Sequence, residues 1–271
     1  MLAFGGISIV NAVPSWFGGT VAVDLKVFAR IRPCKDICRY SSRLLEVIAK
    51  YFVSRYSLEP FEIEVFSEIP PKSGLKSSSA VAVAAIKAVV EKFSLYEPSI
   101  PILAAELSKI AGVSITGALD DAAAAYYGGA VLTDNLYMKL VKLFALPGDV
   151  VAVIAVQGYR EIAVDAEALR RYHHLFYDIF VRAVEGDVFG AMKMNGLAVA
   201  RILGYREEPI VEAIERGALA AGVSGNGPSV FVVCREGDEN YFADFLGKYF
   251  NNVKTIGIVG VGAYEGADKP L

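Results

Sequence analysis

The sequence predicts an α+β fold, on three observations. The chain opens with two apolar, β-rich segments, 3–10 and 21–31, spaced as a hairpin. A strand, a turn and a long apolar helix follow one another over 61–93. Late in the chain a glycine-rich turn, 222–229, opens into a further apolar strand. A chain of 271 residues can bury a full core, as one large domain or two small ones.

Each element has its own signal. Segment 3–10 is apolar throughout, and 21–31 reads VAVDLKVFARI; Gly18-Gly19 is expected to turn the chain between them. Trp16, the only tryptophan, lies in that connection and packs either onto the core or over a ligand. Over 41–56, Leu44, Leu45, Val47, Ile48, Tyr51 and Phe52 recur with helical spacing. FEIEVF at 61–66 alternates as a strand does, and 79–93 is an Ala-rich stretch that suits a buried helix. EPSIP at 97–101 separates that helix from one over 102–111, which Gly112 stops. A helix over 118–127 leads through Gly128-Gly129 into a strand at 130–133. The remaining elements are a strand at 150–156, helices at 163–184, 188–203, 210–220 and 241–249, and a strand at 255–262. There is no internal repeat and no low-complexity linker.

Composition narrows the function. The net charge of −3 and pI near 5.6 leave no basic footprint, so nucleic acid is not the expected partner. Hydrophobic content is 54%, yet no apolar run approaches the ~18 residues of a membrane span, and Lys87, Glu91 and Lys92 interrupt the Ala/Val helix. With no basic segment ahead of a hydrophobic one at the N-terminus, the expected location is the cytoplasm. Cys34, Cys38 and Cys234 are expected to be free thiols, since no Cys/His set accompanies the first two. His173 and His174 are expected to be solvated or locally paired. The apolar content fits a monomer with an Ala/Val core or a homodimer.

Three stretches carry chemistry. In Pro70-Pro71-Lys72-Ser73-Gly74-Leu75-Lys76-Ser77-Ser78-Ser79-Ala80 a strand ends and a helix begins. Its serines either cap that helix or leave its first amides, at the positive end of the dipole, open to an anion such as phosphate. The pattern is not G-x-x-x-x-G-K-[ST], because no glycine lies five residues before Lys76. The second stretch, 112–129, holds Thr116, Asp120 and Asp121. Adjacent carboxylates on a helix point about 100° apart, so one can face a site while the other finds a different partner. That difference in solvation is what lets one act as a base. In the third stretch, Ser224-Gly225-Asn226-Gly227-Pro228, glycines let backbone amides approach a ligand closely.

These three stretches, in this order, resemble the GHMP kinases (galactokinase, homoserine kinase, mevalonate kinase and relatives). The first is similar to P-x-x-x-G-L-G-S-S-A, with Lys76 in place of the second glycine and Ser79 inserted. The third resembles S-G-x-G-P. Within the family the likeness is greatest to the archaeal type of shikimate kinase, on Asn11-Ala12, Asp24 to Val27, Gly74 to Ala80, Thr116 to Ala122 and Tyr126 to Gly129.

The resemblance implies a GHMP kinase fold, with an N-terminal, ATP-binding domain like ribosomal protein S5 domain 2 over 1–150 and a ferredoxin-like domain over 151–271. It implies transfer of a phosphoryl group from ATP, with Mg2+, to the 3-hydroxyl of shikimate in aromatic amino-acid synthesis. Residues 70–80 and 224–227 would bind the nucleotide, and Ser78 the Mg2+, with Glu106 as the nearest upstream carboxylate for the metal. Asp121 stands seven residues before Gly128, the spacing of the family's base; Asp120 is off by one. Lys76 or Lys72 would offset charge on the transferring phosphate. Asn11, Thr116, Asp120 and Arg160 would line the acceptor site, with Arg160, Arg170 and Arg171 as candidates for its carboxylate. Some relatives carry an activating lysine early in the first strand, where this chain has residues near Ile7. Homoserine or pantoate kinase activity, or a non-catalytic nucleotide-binding regulator, are the alternatives.

Overall fold

The computed structural model describes residues 1–34, 38–158 and 164–262. The first sheet is organised by one long strand. β1 (Leu2–Val10) pairs antiparallel with β2 (Phe17–Pro33). On the other edge of β2 lie β3 (Phe61–Ser67), beside its second half, and β4 (Ala130–Asp134), beside its start. β5 (Lys139–Phe144) extends the sheet beyond β4.

Three helices cover this sheet, α2 (Arg43–Tyr56), α3 (Ser77–Lys92) and α5 (Leu119–Tyr127), and α4 (Ile100–Ile110) packs against all three. α3 lies against β1 and β2, with Ala80, Ala82, Val83, Ala84, Ala85 and Ile86 fully buried. Alanines let the helix axis approach the sheet closely while keeping strong helix propensity.

The second sheet is antiparallel, in the order β7-β8-β6-β9, from β6 (Val150–Ala155), β7 (Ala220–Val223), β8 (Val230–Arg235) and β9 (Val253–Gly257). α8 (Val188–Leu203) packs on β7 and also touches β1, so it bridges the sheets. The close crossing depends on glycine: a Cβ on Gly196 would stand 2.2 Å from the Cα of Gly222. α9 (Glu208–Glu215) and α10 (Glu239–Leu246) complete this half. After β9 the chain returns to the first sheet, where Ile258 bridges to Val23 and Val259 donates its N–H to Ala22.

Several elements depart from the sequence reading. Gly18 and Gly19 lie inside β2; the turn is made by α1 (Ala12–Ser15), capped by Asn11 and ended by Trp16 at φ 68°. The glycines serve close packing instead, since a Cβ on Gly18 would meet the Asp120 carboxylate at 2.5 Å. Of the helix expected over 163–184, residues 164–184 are described and form α6 (Ala166–Arg170) and α7 (His173–Val184). α6 turns aside to bury Leu169 and pack on α1. The helix expected over 210–220 stops at Glu215, because Gly217 takes φ 96°, and its last residue begins β7. The expected strand over 255–262 ends at Gly257. β5 escaped notice because its side chains are mostly exposed on both faces.

The cysteine expectation is corrected as well. Cys34 and Cys38 form a disulfide, their Cα atoms 5.4 Å apart, within the ordinary range for such a bond. Cys234 is a free, buried thiol, and burial followed by the charges of Asp238 and Glu239 pushes it up to about 11. His173 and His174 are exposed, their ring centroids 3.8 Å apart and tilted by 44°. Trp16 packs under Arg170, whose guanidinium lies 5.2 Å from the ring. No helix among the described residues is long and apolar enough to cross a membrane.

The α8–β7 crossing gives a direct test of the packing. Gly196→Ala is expected to lower the unfolding free energy by about 1–3 kcal/mol, as overpacking does. Gly257→Ala, which meets nothing within 4 Å, should stay within about 0.5 kcal/mol of the parent in the same denaturation experiment.

Candidate active site

A cleft of about 680 Å³ opens between the start of α3, the segment before α5, α1 and the glycine-rich turn. That volume lies within the ordinary range of small-molecule sites. Pro71, Lys72, Ser73, Gly74, Lys76, Ser77 and Ser78 line one wall. Gly112 to Thr116, Ala118, Asp120 and Asp121 line a second, with Asn11, Ala12, Val13, Gly225 and Asn226 beyond them. The three stretches singled out in the sequence therefore meet in one place.

The two readings of the serine run are separated by the start of α3. Ser77, Ser78 and Ser79 lie inside the helix, and its N-cap is Lys76, with no side-chain cap hydrogen bond. The first amides of this 16-residue helix therefore lack a side-chain partner, and they sit beside the cleft. Such a helix start favours an anion.

Lys76 has φ 68° and ψ 26°, the left-handed backbone that glycine adopts freely. Holding a lysine there costs about 1–2 kcal/mol. What offsets the cost is its side chain. The Lys76 stem passes over Gly6, where a Cβ would come within 3.3 Å of Cγ, and its Nζ lies 2.8 Å from Asp121 Oδ1. Both side chains are largely buried, 8% and 14% exposed, so the pair is shielded from solvent.

The aspartates are held differently, as their separation on α5 requires. Asp121 Oδ1 accepts from Thr20 Oγ1 at 2.6 Å as well as from Lys76, while its Oδ2 has no partner among the described residues. Asp120 is 2% exposed. Its Oδ1 accepts from Asn135 Nδ2 at 3.0 Å, and its Oδ2 lies 3.1 Å from Thr20 Oγ1. Burial, and then the neighbouring charge of Asp121, push the Asp120 carboxyl up to about 7, against the opposing pull of Lys76, Asn135 and Thr20.

The remaining loops act as supports. Gly74, at φ 88°, leaves no room for a side chain: a Cβ would stand 2.3 Å from the carbonyl oxygen of Ser224. Ser224 Oγ donates to Gly74 O at 2.9 Å, and Ser229 N donates to Ser73 O, so the glycine-rich turn clamps the loop before α3. Ser8 Oγ accepts from Gly225 N. Asn11 is 5% exposed: Oδ1 caps α1 at Val13 N, and Nδ2 donates to Asn226 Oδ1 at 2.7 Å. Its backbone N donates to Asn195 Oδ1 on α8.

Not every expected residue reaches the cleft. Pro70, Leu75, Ser79, Ala80, Ser224 and Gly227 are structural neighbours outside its lining. Glu106 is exposed on α4, whose buried face carries Leu103, Ala104, Ala105 and Leu107, and it does not line the cleft. Contrary to expectation, Glu106 is therefore not placed to hold a metal in the cleft. Arg170 and Arg171 are exposed and also lie outside the lining, and Arg160 lies outside the described residues. Thr20, Asn135 and Asn195 were missed; each comes from an element distant in sequence from the group it touches, which for Asn195 is the backbone N–H of Asn11, and none carries a local motif. Among the described residues no group of three His, Cys, Asp or Glu could hold a metal alone.

Two family models match the chain: GHMP kinases N terminal domain over residues 42–129, and GHMP kinases C terminal over residues 188–252. Together they cover more than half of the sequence. The chain belongs to the GHMP kinases.

Similar proteins within this family carry the name shikimate kinase. One, from Methanothrix thermoacetophila, is 35% identical over 236 residues, spanning 84% of this chain and 82% of its own. Another, from Methanocella arvoryzae, is 34% identical and spans 97% of this chain and 94% of its own. A third, from Pyrococcus furiosus, is 34% identical over 85% and 89%. Among solved structures, L. major mevalonate kinase in complex with R-mevalonate aligns with a TM-score of 0.70 at 17% identity, covering 96% of this chain and 95% of that one. Homoserine kinase from Cytophaga hutchinsonii aligns at 0.68 and 20% identity, covering 97% and 96%. At these identities the structural likeness shows the GHMP fold alone.

The left-handed lysine is testable within the site. Lys76→Ala and Lys76→Gly both remove the pair with Asp121, but only glycine relaxes the backbone. The glycine variant is expected to be the more stable of the two by about 1–2 kcal/mol in equilibrium denaturation.

Proposed function

We propose that this GHMP kinase phosphorylates the 3-hydroxyl of shikimate, using ATP and Mg2+. The observation that carries the reading is one cleft holding both a helix start without a side-chain cap, suited to phosphate, and a carboxylate, Asp121, with one oxygen unpartnered among the described residues. The choice of acceptor rests on relatives named shikimate kinase at 34–35% identity over most of the chain. We divide the chain near residue 150, between the two sheets, into ATP-binding and C-terminal domains, and place the enzyme in the cytoplasm, where ATP is available.

The chemistry follows from the side chains. The nucleotide phosphates lie along residues 71–78, with their charge at the positive end of α3. Gly225 and Asn226 close the opposite side, held by Asn11 and by the Ser224–Gly74 clamp. Ser78, in the first turn of α3, would hold Mg2+, which when bound neutralises charge on the phosphates. Asp121 Oδ2 orients the acceptor hydroxyl and takes its proton as the oxygen attacks the γ-phosphorus. The bond from that phosphorus to the β–γ bridging oxygen breaks, and ADP leaves with the electron pair. Lys76, fixed by Asp121, keeps a positive charge beside the transferring group.

A coupled assay of ADP release with Mg-ATP against shikimate, homoserine, pantoate and mevalonate tests this reading. Turnover is expected with shikimate, and Asp121→Asn should lower kcat by about 10²–10⁴-fold, the range for loss of a general base. Turnover with another acceptor only would keep the kinase chemistry and overturn the acceptor. ATP binding without turnover on any of them would overturn catalysis.

A further inference from the structure

The contacts around Thr20 raise a question of hydrogen count. Its hydroxyl carries one hydrogen, yet it lies between two carboxylate oxygens, 2.6 Å from Asp121 Oδ1 and 3.1 Å from Asp120 Oδ2. With both aspartates ionised, one contact would set an oxygen lone pair against a buried anion, with no hydrogen between them. A proton on Asp120 Oδ2 removes the conflict. Asp120 then donates to Thr20, Thr20 donates along its shorter contact to Asp121, and Lys76 donates to the same oxygen. Asn135 Nδ2 donates to Asp120 Oδ1, the oxygen left without the proton.

We propose that Thr20 is a positioning residue that joins Asp120 and Asp121 into a dyad sharing one proton, held by Asp120, so that Asp121 stays ionised. This rests on Asp121 being the base, and it deepens that reading. The surroundings agree with it. Gly18 leaves the space the Asp120 carboxyl occupies, and Gly6 leaves the space for Thr20, whose Cγ2 a Cβ there would meet at 2.5 Å. The charged groups acting on Asp120 are Asp121 beside it on α5 and Lys76, the N-cap of α3; β2 contributes Thr20, and the turn after β4 contributes Asn135. Burial, which holds the Asp120 carboxyl up to about 7, favours the protonated form. The chain is directional: its hydrogens all point toward Asp121 Oδ1, fixing that oxygen and leaving Oδ2 for the acceptor. In the reaction the acceptor proton passes to Oδ2 and leaves to water after ADP departs. The Asp120 proton does not move.

Infrared difference spectroscopy on the ligand-free protein tests the proton directly and does not depend on which acceptor is used. A protonated-carboxyl C=O band should persist through pH 6, titrate near the value of about 7 given by the site, and vanish in Asp120→Asn. A band already lost by about pH 5, as for an ordinary carboxylate, and so absent at about pH 6, would overturn the proposal.

Stability provides a second readout. A carboxyl raised from 3.8 to about 7 in the fold leaves the native state with more bound protons than the unfolded state between those values. Stability contributed by this group is therefore full below 3.8 and falls as pH rises to about 7. Asp120→Asn should remove that fall; an unchanged pH dependence would contradict the proposal. For Thr20 itself, Thr20→Val should lower kcat by about 10-fold or more and move the acid limb of the kcat profile to higher pH, because an anion that loses a donor is less stable. Thr20→Ser should restore both. A valine variant with unchanged kcat and acid limb, or a folded serine variant that restores neither, would show that the hydroxyl does not act through Asp121.

Discussion

The contact between Lys76 and Asp121 joins the two halves of the site, and most of the local structure is arranged to permit it. One partner ends the loop before α3, and the other lies in the first turn of α5. To reach across, Lys76 accepts a left-handed backbone, β1 gives up a side chain at Gly6, and Thr20 braces the same carboxylate oxygen. Removing either partner would leave a largely buried charge uncompensated, which costs about 3–5 kcal/mol in buried pairs generally. Without the lysine, Asp121 would also stand beside Asp120 with no cation between loop and helix. A phosphate site and a proton acceptor are thereby held at a fixed separation, as transfer between two bound molecules requires.

The second half of the chain supports this arrangement without supplying the reacting carboxylate. Its glycine-rich turn meets the loop before α3 backbone to backbone, at Gly74 and Ser224, where even a methyl group would not fit. α8 passes between the sheets and holds Asn11 through Asn195, and Asn11 in turn holds Asn226. The strap after β9 ties the second sheet back onto β2, the strand that carries Thr20. The cleft is thus framed by both sheets, which is why its residues come from widely separated parts of the sequence.

How far the sequence could be read follows the range of the interactions. The α+β class, the long helices and the three stretches around the cleft were legible because each has a local signature: apolar period, serine-rich helix start, paired aspartates, glycine-rich turn. Gly18 and Gly19 misled because glycine marks a turn and a close contact equally well, and only the fold shows that Asp120 fills the space beside Gly18. Glu106 has the right chemistry upstream of the aspartates, but the helical register of α4 turns it outward. Thr20 and Asn135 were invisible because a threonine in a strand and an asparagine in a turn say nothing until strand pairing brings them to α5. The disulfide was missed because an odd number of cysteines says nothing of which two lie close enough to bond, as Cys34 and Cys38 do.

The most direct test of the account is a crystal structure of the protein with Mg2+, a non-hydrolysable ATP analogue and shikimate. The 3-hydroxyl is predicted to lie within about 3.2 Å of Asp121, with the terminal phosphate at the start of α3 and Lys76 still paired with Asp121. A hydroxyl directed at another group, with Asp121 remote from it, would contradict the central claim that this pair positions the base.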